Sequence, residues 1–184
     1  MEAFLVSTGL VALAETGDKT QLLAILLAAR FRQPLPIVLG ILVATLANHA
    51  VAAAAGQWLG DLVDADLLRW LLAGSFLAMA AWMLVPDSLD DDTPTPRGGV
   101  FLATVIAFFL AEMGDKTQFA TVALAARFDD LLAVVAGTTL GMMLANVPAV
   151  YLGERITRRL PVPLIHRIAA IVFLLLAVAA ALWP

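Results

Sequence analysis

A seven-residue polar motif occurs twice in this chain, and each copy lies inside a long apolar stretch. Residues 15–21 read ETGDKTQ, and residues 112–118 read EMGDKTQ, 97 positions later. The pentapeptide LAARF follows both copies at the same offset, as residues 27–31 and 124–128. A pattern that repeats over this length indicates two homologous halves, each built around one copy of the motif.

The composition excludes an ordinary soluble domain. Of the 184 residues, 62% are hydrophobic and only 14% are charged, whereas soluble domains average about half apolar and about a quarter charged residues. A net charge of −4 without a long basic run excludes nucleic acid as a natural partner. The absence of cysteine excludes disulfides, thiolate metal sites and thiol nucleophiles. The expected environment is a lipid bilayer.

Apolar segments separated by polar or proline-rich residues predict six membrane spans. Their approximate bounds are 3–29, 36–59, 67–85, 99–126, 131–152 and 163–183. Most exceed the ~20 residues that a span requires, which predicts tilted or broken helices. Because each half has three spans, the second half enters the membrane from the opposite side. The predicted fold is therefore an all-α integral membrane protein with six transmembrane helices in two inverted three-helix repeats.

The predicted organisation is one transmembrane domain: a first repeat over 1–86, an acidic linker over 87–98 and a second repeat over 99–184. Basic residues predict its orientation, because cytoplasmic loops are enriched in them. Seven arginines fall in the first, third and fifth loops, namely Arg30, Arg32, Arg97, Arg155, Arg158, Arg159 and Arg167. Only Arg69 and Arg127 lie on the other side. Both termini are expected outside and the linker in the cytoplasm.

The acidic residues of the motifs lie near the bilayer midplane. Glu15 is about twelve residues, or ~18 Å, into the first span, and Glu112 has the matching place in the fourth. A charged residue at this depth costs ~2.5–3.5 kcal/mol or more, so a functional reason is expected. On a continuous helix, Asp18 and Lys19 share a face with Glu15; Asp115 and Lys116 likewise share one with Glu112. Gly17 and Gly114 permit a break between the acids.

The charge of the two motifs predicts an exchange site. Four carboxylates, Glu15, Asp18, Glu112 and Asp115, and two ammonium groups, Lys19 and Lys116, sum to −2. One divalent cation or two protons neutralise this charge, since desolvation and like-charge crowding favour protonated carboxyl groups. We predict that the four acids carry the cation and the protons, and that the two lysines are counter-charges.

The donor set around these acids contains only oxygen. Supporting polar groups at matching places in the halves are Thr20, Gln21, Asn48, Thr117, Gln118 and Asn146. Oxygen ligands suit Ca²⁺, Mn²⁺ or Mg²⁺, whereas Zn²⁺ and Cu⁺ favour the cysteine and histidine ligands that are missing here. His49 is next to Asn48 but matches Val147 in the other half, so we predict a packing role. His166 is predicted to be interfacial.

Other interpretations of the polar residues remain open on composition and spacing alone. They include hydrogen-bonded contacts between helices in a non-transporting protein, although a Glu15–Lys19 pair leaves Asp18 as a surplus acid. A second is an exporter of small organic cations such as basic amino acids. A third is a membrane-embedded hydrolase of lipid phosphate, which is disfavoured because no arginine lies in the middle of a predicted span.

The doubled E-x-G-D-K-T pattern resembles the Gdt family of cation/proton antiporters, which includes Golgi manganese and calcium transporters and small bacterial manganese exporters. The resemblance covers nearly the whole chain. It implies six helices in two inverted repeats and a transporter, not an enzyme, that exchanges Mn²⁺ or Ca²⁺ for protons in the direction of cation export. No resident cofactor is implied, because the transported ion itself binds at the midplane. By matching positions, the family's cation-site acids are Glu15, Asp18, Glu112 and Asp115. The short chain favours a bacterial inner (cytoplasmic) membrane.

Overall fold

The described part of the protein is entirely helical. A computed structural model describes residues 1–85, 99–128, 130–153 and 161–182. These residues form eight α-helices: α1 (Glu2–Glu15), α2 (Lys19–Phe31), α3 (Pro34–Leu62), α4 (Ala65–Trp82), α5 (Gly99–Glu112), α6 (Lys116–Phe128), α7 (Leu131–Leu152) and α8 (Val162–Leu182). The predicted acidic linker lies outside the described residues, as do Arg97, Arg155, Arg158 and Arg159.

Several of these helices are suited to cross a membrane. α3, α4, α7 and α8 are each long and apolar enough to do so alone. The remaining helices have 13 or 14 residues each, which is short of the ~20 residues that a bilayer requires. Large apolar side chains such as Leu39, Val51 and Leu140 are exposed on the outer surface, as expected of a protein surrounded by lipid. The chain is therefore a membrane protein with several spans.

The first and fourth predicted spans are each made of two helices and not of one continuous helix. α1 ends at Glu15 and α2 begins at Lys19, while α5 ends at Glu112 and α6 begins at Lys116. The shared helical face that we expected for each motif therefore does not exist. The reason is local, because Gly17 and Gly114 adopt φ angles of +86° and +76°. Glycine enters this left-handed region without steric cost, and the helix cannot continue through it.

The two halves interlock through close backbone contacts at small residues. α1 packs along α7, where a Cβ placed on Gly137 would lie 2.9 Å from Ser7 Cβ. α5 packs along α3 in the same way, and a Cβ on Gly40 would lie 2.7 Å from Thr104 Cβ. Side chains this small allow helices to approach closely in a membrane, where packing replaces the hydrophobic effect as the driving force. The first helix of each half thus packs along a long helix of the other half.

The broken helix pairs follow their partners over the whole length of those partners. After α5, α6 continues along α3, with Gly56 against Val122 and Gly60 against Ala126. On the other side, α2 continues along α7, where Gln21 Nε2 donates a hydrogen bond of 2.9 Å to the carbonyl oxygen of this helix. The two breaks consequently lie beside the middle of α3 and α7. Thr16 and Gly17 of the first break are half-buried, whereas Met113 and Gly114 of the second are exposed at the protein surface.

The last helices of the two halves pack against each other. α4 contacts α8 extensively, and the rings of Phe76 and Phe173 lie with centroids 6.4 Å apart. Both side chains are almost fully buried within one apolar cluster. Tilted aromatic pairs at this separation are favourable, so the contact holds the ends of the halves together outside the region of the breaks.

Candidate cation-binding site

The two unwound turns are held by the same hydrogen bond. Gly17 N–H donates to Gln21 Oε1 at 3.0 Å, and Gly114 N–H donates to Gln118 Oε1 at 2.7 Å. A break in a helix leaves backbone donors without intrahelical partners, and a membrane interior supplies no water to bind them. The glutamine that ends each motif therefore stabilises the break that the glycine creates.

The two motif glutamates are held alike, each with one oxygen bound and one oxygen unbound. Thr20 Oγ1 donates to Glu15 Oε2 at 2.5 Å, and Thr117 Oγ1 donates to Glu112 Oε2 at 2.9 Å. Both glutamates are completely buried. Within the described ranges, the Oε1 atoms of both have no hydrogen-bond partner. Each threonine thus orients its glutamate and leaves one oxygen available.

Three of the four predicted acids come together. Carboxylate oxygens of Glu15, Glu112 and Asp115 lie within 4.8 Å of one another. Asp115 Oδ2 is also buried without a hydrogen-bond partner among the residues described. The fourth acid, Asp18, is fully buried but does not belong to this group. A cation placed among the three carboxylates would contact both halves of the protein.

The lysines pair across the halves. Lys19 Nζ lies 2.8 Å from Asp115 Oδ1, and Lys116 forms an ion pair with Asp18. Each lysine therefore neutralises the aspartate of the other motif. A pair between Glu15 and Lys19 of the same motif, which the sequence suggested as one interpretation, is not the arrangement found.

These pairs leave the charge of the site on the two glutamates. With both aspartates opposite a lysine, Glu15 and Glu112 carry the remaining −2 when ionised. Two buried carboxylates at this separation are costly unless protons or a cation neutralise them. The arrangement is therefore chemically suited to hold either one divalent cation or two protons.

The intramembrane amides make different hydrogen bonds in the two halves, although their sequence positions match. Gln118 Nε2 donates to Asn48 Oδ1, and Asn48 Nδ2 donates to Phe109 O at 3.4 Å. In the other half, Gln21 Nε2 instead donates to a backbone oxygen, that of Ala145. The amide nitrogen of Asn146 donates to its own helix. One asparagine thus supports its motif through a side chain, and the other does not.

Sequence reasoning missed the contact of α8 with the first break. His166 Nε2 donates to Thr16 O at 2.9 Å, and Val162 lies directly over the position where Gly17 would carry a Cβ. Gly114 has no described atom within 4 Å of its Cβ position. No sequence signal pointed to this contact.

His49 lies apart from the carboxylate cluster. Its side chain is fully buried, and neither ring nitrogen has a hydrogen-bond partner in the part of the chain that the structure describes. It is also outside the group of residues whose oxygens converge. The packing role expected from its sequence position stays a prediction.

Comparison with known proteins identifies the family. The sequence model described as "Divalent cation/proton antiporter GDT1" matches residues 3–91 and 100–183, so each match contains one motif and one break. The chain belongs to the GDT1 family. Its members are divalent cation/proton antiporters, which makes this protein a transporter and not an enzyme. Two matches to one family model also support the internal repeat.

Curated relatives cover almost the whole chain. A Vibrio cholerae protein named "Putative manganese exporter" is 51% identical over 182 residues, which are 98% of this chain and 91% of the relative. A GDT1-like protein of Synechocystis is 28% identical, covering 97% of this chain and 96% of its own. GDT1-like protein 3 of Oryza sativa is 26% identical over 100% of this chain and 75% of its own. No solved structure matches the chain.

Proposed function

We propose that this GDT1 protein exports Mn²⁺, and Ca²⁺ less readily, in exchange for protons at the carboxylate cluster. The observation that carries the proposal is the convergence of Glu15, Glu112 and Asp115 within 4.8 Å. The cluster draws on both halves, so a motion of one half against the other would change its access. The fourth acid, Asp18, serves this site by pairing with Lys116.

Manganese is the preferred substrate in this proposal for two reasons. The relative named as a manganese exporter is 51% identical over nearly the full length of both chains. The donor atoms of the cluster are all oxygens, which suit Mn²⁺, Ca²⁺ and Mg²⁺. Mg²⁺ is disfavoured because it gives up its water ligands reluctantly.

The exchange follows from the charge on the two glutamates. From the cytoplasm, Mn²⁺ displaces protons from Glu15 and Glu112, and its two charges replace theirs. The halves then move so that the cluster faces the other side, where protons release the metal. The Lys19–Asp115 and Lys116–Asp18 pairs keep the aspartates neutralised while the glutamates alternate between metal and protons.

The membrane topology is six passes in two inverted repeats. This is supported by the course of α5 and α6, which together run beside the single long helix α3, and by that of α1 and α2 beside α7. Each broken pair then makes one pass. Gly40 contacts Thr104 and, further along both segments, Gly56 contacts Val122, so the first pass of the second half lies parallel to the second pass of the first half. Because α3 follows α2 directly and returns across the membrane, the first passes of the two halves run in opposite directions. The bacterial relative supports an inner (cytoplasmic) membrane location. The arginine distribution in the sequence favours both termini outside and the linker in the cytoplasm.

Reconstituted transport tests the proposal. Purified protein is placed in proteoliposomes that contain a pH-sensitive dye, and Mn²⁺, Ca²⁺ or Mg²⁺ is added outside. Proton movement that accompanies Mn²⁺ and is lost in Glu15→Gln/Glu112→Gln supports the exchanger. Folded protein that moves no protons with any of the three metals would refute it. Parallel additions of arginine and lysine test export of basic amino acids.

A further inference from the structure

The two intramembrane asparagines have matching sequence positions but different hydrogen bonds. Asn48 Oδ1 accepts from Gln118 Nε2. Asn146 is fully buried, yet its Oδ1 has no hydrogen-bond partner among the residues that the structure describes. A buried amide oxygen costs free energy unless another group binds it. The difference between the two residues therefore calls for a physical reason.

The amide nitrogen of Asn146 is committed to α7. It donates to Met142 O at 3.1 Å and lies 2.9 Å from Met142 Sδ. These two contacts fix the rotation of the amide group and direct its oxygen away from that turn of the helix. The oxygen is thus held in one place without a hydrogen-bond partner in the described part of the chain.

The position of Asn146 on α7 brings it to the first motif. Gln21, whose Oε1 accepts the N–H of Gly17, donates its amide N–H to the carbonyl oxygen of Ala145 at 2.9 Å. Asn146 is the next residue, so it belongs to the turn of α7 that contacts the first unwound segment. Glu15 ends the helix at that same segment.

One inserted residue explains why the halves differ here. Gly40 and Asn48 are eight positions apart, whereas their counterparts Gly137 and Asn146 are nine apart. An extra residue turns a helical side chain by ~100° about the axis. Gln21 then meets the backbone of α7 where Gln118 meets an asparagine side chain on α3. The amide oxygen of Asn146 is released from the role that Asn48 performs.

We infer that Asn146 Oδ1 is a neutral ligand of the transported cation, whereas Asn48 is a positioning residue that holds Gln118 and the second unwound turn. The inference rests on the proposed function. Oxygens that are buried and lack a partner within the described ranges include Glu15 Oε1, Glu112 Oε1 and Asp115 Oδ2 at the cluster. Asn146 Oδ1, on the turn of α7 that contacts the first motif, is another such oxygen. Such a mixed carboxylate and carbonyl set is typical of sites for large divalent cations.

Equilibrium binding of Mn²⁺ and Ca²⁺ to the purified full chain tests this assignment. The variants are Asn146→Ala, Asn146→Asp and, as the matched control, Asn48→Ala. We expect Asn146→Ala to raise the Kd for Mn²⁺ about tenfold or more, as loss of a metal-site group commonly does, and to change the ratio of the Mn²⁺ and Ca²⁺ constants. We expect Asn48→Ala to leave that ratio unchanged, because its side chain acts on Gln118 and not on the ion.

The isosteric variant guards against a folding defect. Asn146→Asp keeps the side-chain shape and an oxygen at the same place, so it is expected to bind Mn²⁺ at least as tightly as the unmodified protein. Unaltered Mn²⁺ binding in Asn146→Ala would overturn the inference. So would an unaltered ratio of the Mn²⁺ and Ca²⁺ constants in Asn146→Ala together with weaker Mn²⁺ binding in Asn146→Asp. If the unmodified protein itself binds no divalent cation, the proposed function fails, and this result is distinct from the other two.

Discussion

Lys19 of the first motif lies with its Nζ 2.8 Å from Asp115 Oδ1 of the second. The reciprocal pair, Lys116 with Asp18, joins the halves in the opposite sense. The aspartate and the lysine of each motif thus pair with those of the other motif and not with each other. An arrangement of this kind makes the site a property of the whole chain, since neither half carries its own counter-charges in place.

The two ion pairs are expected to differ in their contribution to stability. Lys116 is 1% exposed whereas Lys19 is 26% exposed. Removing one member of a buried pair leaves an uncompensated charge and typically costs ~3–5 kcal/mol, and the cost is smaller for a pair that the protein encloses only in part. Lys116→Ala should therefore lower the unfolding temperature in detergent more than Lys19→Ala.

A paired substitution checks the reason for that difference. Asp18→Asn combined with Lys116→Gln removes both charges and should recover much of the loss seen in Lys116→Ala, as measured by the same thermal unfolding. If the double variant is no more stable than Lys116→Ala alone, the loss does not come from an unpaired buried charge.

The four acids are expected to affect metal binding unequally. Glu15, Glu112 and Asp115 converge, and Asp18 does not belong to that group. We predict that Glu15→Gln and Glu112→Gln each raise the Kd for Mn²⁺ by about 100-fold or more, because one of two metal-neutralising charges is lost. Asp18→Asn should raise it by less. Titration of the purified variants with Mn²⁺ measures this order. An Asp18→Asn variant that binds Mn²⁺ more weakly than both glutamate variants would contradict it.

The two break glycines should tolerate replacement differently. Both adopt positive φ angles, which cost a non-glycine residue ~1–2 kcal/mol. Gly17 also lies under Val162, whereas no described atom approaches the Cβ position of Gly114 within 4 Å. Gly17→Ala should therefore destabilise the protein more than Gly114→Ala, as measured by thermal unfolding. Equal losses of stability would show that the contact with α8 is unimportant. Combining Gly17→Ala with Val162→Ala removes this contact and should bring the loss of stability closer to that of Gly114→Ala.

Protons and Mn²⁺ should compete for the site. If the ion displaces a proton from each of Glu15 and Glu112, the apparent Kd for Mn²⁺ rises as the pH falls, by up to ~100-fold per pH unit where both are protonated in the free protein. Binding titrations from alkaline to acidic pH measure this slope. A slope near zero throughout would contradict proton exchange at these residues. In Glu112→Gln the limit should fall to ~10-fold per unit, because one exchanging proton remains.

The positions of half of the described helices followed closely from the sequence. Apolar segments bounded by proline or polar residues placed α3, α4, α7 and α8 within three residues of their observed ends, because a bilayer span has a required length and composition. The motif residues were found for the same reason: charged side chains in an apolar segment are conspicuous. The break at each motif was anticipated only as something that Gly17 and Gly114 permit.

Only the tertiary structure decided how the charged groups of the two halves pair with each other. Composition and spacing are local properties, so they indicated two lysines, four acids and a net charge of −2 without saying how these groups pair. The packing of α1 along α7 and of α5 along α3 brings the unwound turns together. That packing directs each lysine to the opposite aspartate and leaves Glu15 and Glu112 side by side. The same packing, shifted by one residue in α7, made Asn48 and Asn146 unequal. A sequence can specify two copies of a motif, but contacts between residues ~100 positions apart depend on how helices cross, and this geometry exists only in the folded chain.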